Sequence, residues 1–104
     1  MSPTVLAGLP ASELSARIAA GDVSSLEVVE AHLERIEALN PQLNALVVQR
    51  YSAARAEAMD ADARQKRGEP LGPLHGVPGT IKEALDLAGT PATAGLTTRA
   101  QTLA

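Results

Sequence analysis

Few side chains in this 104-residue sequence are suited to covalent chemistry, and the most pointed of them is Lys82. It follows residues 68–79, which carry four Gly and three Pro and read as a loop. By residue type alone Lys82 is a solvated surface cation. Its setting supports a second reading. A Gly/Pro loop feeds a short apolar rise, and a lysine held there is partly desolvated. Desolvation disfavours an ammonium ion, and a neutral amine can take a proton from a serine hydroxyl. Spacing leaves both readings open.

The other candidates are weaker. His75 lies in the same loop between Leu74 and Gly76, without a second histidine or spaced carboxylates beside it. It reads as a loop histidine with a local hydrogen bond rather than a metal ligand. His32 lies four residues from both Val28 and Ile36 and reads as half-buried packing. The glycines at 72, 76, 79 and 89 match neither G-x-x-x-x-G-K-[ST] nor G-x-G-x-x-G, so no nucleotide motif is present. With no cysteine there is no thiolate nucleophile, no disulfide and no Cys-ligated metal. No cofactor and no metal are expected.

Composition bounds the rest. The chain is 45% hydrophobic and 20% charged, as in ordinary globular domains. With no Phe, no Trp and one Tyr, its core must be built from Ala, Val, Leu and Ile, which gain less per buried position. A net charge of −3 without a basic stripe argues against a nucleic-acid partner. The start, MSPTVLAGLP, does not read as a secretory signal, and no apolar run approaches membrane-spanning length. The expectation is a cytoplasmic protein without a membrane partner.

Positioning Lys82 falls to the elements before it. Ser12 is expected to cap a short helix carrying Leu14 and Ile18, with Gly21 ending it in a left-handed conformation. Ser24-x-x-Glu27 fits a capping box. Behind it Leu26, Val29, Leu33 and Ile36 form one apolar stripe, and Glu27, Glu30, Glu34 and Glu37 a solvated face. Asn40-Pro41 is expected to stop that helix. Asn44–Val48, NALVV, reads as a short buried strand. Residues 52–67 read as a helix, supported by Asp60/Arg64 and Asp62/Lys66 pairs, with a thin face of Ala56, Met59 and Ala63. VPGTIKEALDLAG, residues 77–89, suits a helix or a broken strand. The pattern is α/β in character, mostly helical with one to three short strands.

The run PLHGVPGTIKEALDLAGTPATAG, Pro73–Gly95, resembles the lysine-bearing segment of the amidase signature family. The upstream stretches SSLEVVEAHLERIEALNPQLNALVV and ARAEAMDADARQKRGEPLGPLHGVP resemble that family's leading helices in order and spacing. The resemblance covers residues 9–95. It implies an N-terminal part of the amidase signature fold, with helices leading into a mixed sheet. The whole chain, 1–104, then reads as a partial amidase domain: helices at 12–67, the Gly/Pro loop and lysine-bearing segment at 68–95, and a divergent tail at 96–104.

The resemblance also implies hydrolysis or transfer at an amide carbon–nitrogen bond by a Ser–cis-Ser–Lys triad. One serine attacks the carbonyl, the second relays the proton, an unprotonated lysine is the base, and backbone N–H groups hold the oxyanion. By position that lysine is Lys82. Three positions depart from the family's usual pattern: Gly79 for a bulky apolar residue, Glu83 for Asp, and Leu96 for Ser. Ser2, Ser12, Ser15, Ser24, Ser25 and Ser52 match neither of the family's serines. Residues 1–104 are therefore expected to lack amidase activity alone, the small-molecule amide being the substrate of the longer relatives. The alternatives are a non-catalytic truncated module that binds a partner or pairs as a homodimer through exposed apolar helix faces, or a part of the amidase subunit of a tRNA-dependent amidotransferase.

Overall fold

Leu14, Ile18 and Val28 meet in one core, and the helices that carry them set the frame for everything downstream. A computed structural model of the chain describes residues 2–82, 85 and 87–89. Its elements in chain order are α1 (Pro3–Leu6), α2 (Ala11–Ala19), α3 (Ser25–Leu43) and α4 (Tyr51–Lys66). Among the described residues no strand forms.

The short α1 has no counterpart in the sequence pattern. It begins on Pro3 behind Ser2, whose side chain accepts from the Val5 N–H. α2 starts one residue before Ser12, with Pro10 as its cap and no side-chain cap bond, so Ser12 does not take the capping role expected of it. Gly21 then turns the chain at φ 79°, the left-handed geometry anticipated after this helix.

The start of α3 holds to its signature. The Ser24 side chain accepts from the Glu27 N–H at 3.0 Å, and the Ser24 N–H donates to Glu27 Oε1 at 3.4 Å. The stripe also holds: Val29 and Leu33 are buried, with Leu26 and Ile36 packed beside them against Ala58, Ala54 and Tyr51 of α4. A second face of α3 is buried as well. Val28 and Ala31 join Leu6, Leu14, Ile18 and Val23 in a separate cluster. The helix is therefore sandwiched, with the N-terminal helices on one side and α4 on the other. Burying a Val, Leu or Ile side chain is worth roughly 1.5–3 kcal/mol, so among the described residues these two small clusters are a main source of stability. The apolar stripes read for α2 and α3 are thus covered within the chain, while Leu39 and Leu43 at the end of α3 are 42% and 67% exposed.

Three sequence expectations fail here. α3 does not stop at Asn40 but runs through Pro41 to Leu43. Proline removes the hydrogen bond its own nitrogen would make and crowds the carbonyl four residues earlier, and the helix ends within one turn of it. The Asn44 N–H closes the end on the Asn40 carbonyl at 2.7 Å, with Asn44 itself left-handed at φ 48°. Residues 44–48 are not a buried strand. Val47 is 52% and Val48 37% exposed, and the Asn40 side-chain amide brackets Leu46, accepting its N–H at 2.8 Å and donating to its carbonyl at 3.0 Å. An apolar run becomes a strand only with a ladder partner, and none is present among the described residues. In α4 the face turned inward is Ala54 and Ala58, while Met59 is 54% exposed and Ala56 is exposed.

Charges on α4 also split from expectation. Arg64 pairs with Asp60 at 2.9 Å as its spacing predicts. No ion pair joins Asp62 to Lys66 among the described residues. The Asp62 carboxylate instead accepts from the Ser25 N–H at 2.7 Å and the Leu26 N–H at 3.1 Å, at the start of α3. Asp62→Ala is expected to lower unfolding stability by about 2 kcal/mol, because two N–H groups lose a charged acceptor at a helix N-terminus. Lys66→Ala is expected to stay within about 0.5 kcal/mol. Urea denaturation of both variants checks the pair, and equal losses would refute this assignment of Asp62.

Candidate functional site

Residues 72–77 form a tight pair of turns, with the His75 N–H donating to the Gly72 carbonyl at 3.2 Å and the Val77 N–H to the Leu74 carbonyl at 3.1 Å. The turns lie on the helical frame and are fastened to each of the three longer helices. From α2, the Ser15 hydroxyl donates to the Pro73 carbonyl. From α3, the Ser25 hydroxyl donates to the Gly76 carbonyl at 2.7 Å. To α4, His75 donates from Nε2 to the Ala61 carbonyl at 2.9 Å. A carbonyl only accepts, so this contact places a proton on Nε2. Val77 packs on the core cluster that holds Ile18 and Val28.

His75 is hydrogen-bonded, but not locally as expected: its partner is a helix residue 14 positions earlier in the chain. His32 is half-buried as expected, and its Nδ1 also donates to the Val28 carbonyl at 2.8 Å. Neither histidine belongs to a ligand set: among the described residues no group of three or more His, Asp or Glu side chains is placed to hold a metal ion.

Past Val77 the chain leaves the frame. Ile81 is 57% exposed and Lys82 is exposed, without a hydrogen bond or ion pair for its ammonium among the described residues. The partial desolvation anticipated for Lys82 is thus not supplied by residues 2–82. Its carbonyl accepts from the Leu85 N–H at 3.0 Å. Glu83, Leu96 and the tail at 96–104 lie outside the described residues. So does the part of the run Pro73–Gly95 beyond Gly89.

Sequence reasoning singles out Lys82 and misses what seats the loop before it. Ser15 and Ser25 read as ordinary helical serines, and the spacing of Asp62 points to the wrong partner. The weak signal in the sequence is that Ser25 directly follows a serine already committed to the capping box, so its hydroxyl is surplus to the helix. No helix among the described residues is long and apolar enough to cross a membrane. A shallow hollow at the end of α3, lined by Glu37, Asn40, Pro41 and Tyr51 among others, includes no residue of the lysine segment.

Known proteins resemble this chain over most of its length. The family model described as Amidase matches residues 27–104, a span that includes the whole loop and Lys82. The A subunit of glutamyl-tRNA(Gln) amidotransferase from Salinispora tropica is 42% identical over 92 residues, covering 88% of this chain and 19% of that protein. Indoleacetamide hydrolase of Bradyrhizobium diazoefficiens is 48% identical over 81 residues, covering 78% of this chain and 16% of that protein. A solved structure from work on a vestigial protein complex and the origins of an s-triazine catabolic enzyme superposes with a TM-score of 0.86 at 34% identity. It covers 91% of this chain and 21% of the other. The chain thus spans about a fifth of the length of the relatives it matches.

Proposed function

The chain belongs to the amidase family, and from that premise we propose that it is the part of an amide carbon–nitrogen hydrolase that carries the catalytic base, Lys82. The observation that carries the proposal is the family match over residues 27–104, because it runs through the lysine segment itself. The helical frame and the turns at 72–77 deliver the chain to Lys82, and the serines of a Ser–cis-Ser–Lys triad come from outside residues 1–104. In this reading Lys82 accepts the proton that the relay serine passes on as the nucleophile attacks the carbonyl, and returns it to the leaving amine. A lysine works this way only when neutral, and burial is what disfavours its charged form. The exposed stretch from Gly79 to Lys82 is covered by the remainder of the enzyme, including the mixed sheet that the family's fold implies.

A chimera tests this. The matching stretch of the Bradyrhizobium diazoefficiens indoleacetamide hydrolase is replaced by that of this chain, and hydrolysis of indoleacetamide is followed. The chimera is expected to turn over, whereas residues 1–104 alone are expected to release no product above background. An inactive, folded chimera overturns the proposal, as does amide hydrolysis by the isolated chain that Lys82→Ala abolishes.

A second reading, part of the amidase subunit of a tRNA-dependent amidotransferase, is favoured by the 42% identity to the Salinispora tropica protein. It keeps the same role for Lys82. The same exchange made in that protein separates the two, since the background that retains activity identifies the closer role.

A further inference from the structure

The start of α3 satisfies its own N–H groups completely and still holds a buried hydroxyl in reserve. A helix leaves its first four N–H groups without intrahelical partners. Here Ser24 N–H reaches Glu27 Oε1, Ser25 N–H and Leu26 N–H reach the two oxygens of Asp62, and Glu27 N–H reaches Ser24 Oγ. No donor remains for Ser25 Oγ to satisfy. That side chain is 1% exposed, and its one proton goes to the Gly76 carbonyl at 2.7 Å. The loop backbone comes in so closely that a Cβ on Gly76 would lie 2.9 Å from Ser25 Cβ.

We propose that Ser25, seated by Asp62, is a positioning residue for the lysine segment: it fixes the Gly76 carbonyl and thereby the point from which the chain departs toward Lys82. This role rests on the amidase reading of Lys82. Asp62 acts one step back. It anchors the backbone of Ser25 and Leu26 from α4, so the hydroxyl that meets the loop is held between two helices rather than one. Ser15 and His75 fasten the same turns at Pro73 and Ala61, but both are less enclosed than Ser25. Five residues separate Gly76 from Lys82. A displacement of the anchor is therefore transmitted to the lysine through a short backbone, and misplacing a reacting group by about 1 Å can cost about 10²-fold in rate.

Two measurements test the role, and the first does not depend on any activity. Amide hydrogen exchange is followed in the 104-residue chain and its Ser25→Ala variant. The His75 and Val77 amides, which close the turns, are expected to exchange at least tenfold faster in the variant, while the Leu33 and Ala58 amides in the second core cluster change less than threefold. Uniform acceleration, no change, or a parent chain whose His75 and Val77 amides show no protection would each overturn the clamp. In the active chimera, Ser25→Ala is expected to lower kcat 10- to 100-fold with KM within about twofold, and Ser25→Cys, which keeps a weak donor in nearly the same volume, to recover part of the loss. Loss of protection without loss of kcat would overturn the positioning role. An inactive parent chimera overturns the amidase reading instead, and the exchange measurement then decides the clamp by itself.

Discussion

Lys82→Ala in the indoleacetamide hydrolase chimera is expected to lower kcat by about 10⁴-fold or more, the scale seen when one member of a serine triad is removed. Lys82→Arg is expected to be as inactive as Lys82→Ala. Arginine keeps the positive charge and reaches at least as far but stays protonated, so it can stand in for a cation and not for a base. The two substitutions together therefore separate the roles. If Lys82→Arg recovered activity, Lys82 would be holding charge or orienting substrate, and the base assignment would be wrong. Neither change should disturb folding. The Lys82 side chain is exposed and has no hydrogen bond or ion pair among the described residues, and the Leu85 N–H bonds to its backbone carbonyl rather than to its side chain. Unfolding free energies of the 104-residue chain are thus expected to agree within about 0.5 kcal/mol across the parent and its Lys82→Ala and Lys82→Arg variants. An activity loss accompanied by a stability loss would point to a structural lysine.

How much of this is legible in the sequence follows the range of each interaction. The capping box, the stripe Leu26–Val29–Leu33–Ile36 and the left-handed Gly21 depend on residues within a few positions of each other, and all of them stand. The α4 boundaries agree to within a residue for the same reason. Asp62 shows where that reasoning ends. Its i,i+4 spacing to Lys66 offers an exposed ion pair of the kind worth little, while the fold offers two helix N–H groups 36 and 37 residues earlier. Tertiary geometry decides between them. NALVV fails likewise, because a strand is defined by a partner that a five-residue run cannot name. Lys82 stands out by its setting, the role proposed for it comes from family resemblance, and composition alone leaves it a surface cation. The serines that fasten the loop are hidden for a physical reason: a buried hydroxyl facing a carbonyl from a distant turn has no sequence period.

Gly76 gives the sharpest test of that hidden contact. Gly21 and Gly76 share one left-handed geometry, both at φ 79°. A Cβ at Gly21 would meet nothing within 4 Å, whereas at Gly76 it would lie 2.9 Å from Ser25 Cβ, 3.0 Å from Ser25 Oγ and 3.4 Å from Ile18 Cγ2. Ser25 and Ile18 are each 1% exposed, so neither has free space into which to retreat. Gly21→Ala is therefore expected to cost only the left-handed term, about 1–2 kcal/mol. Gly76→Ala adds an overpacking term of about 1–3 kcal/mol and should cost about 2–5 kcal/mol in all. The difference between the two, read by urea denaturation, isolates the close approach of the loop to α3. A double-mutant cycle then assigns it to one neighbour. Ser25→Gly removes both of the nearest atoms, so combining it with Gly76→Ala should recover about 1 kcal/mol or more relative to the sum of the single changes. If Gly76→Ala costs no more than Gly21→Ala and the cycle shows no coupling, the loop does not sit against Ser25, and the account of how the frame leads to Lys82 fails with it.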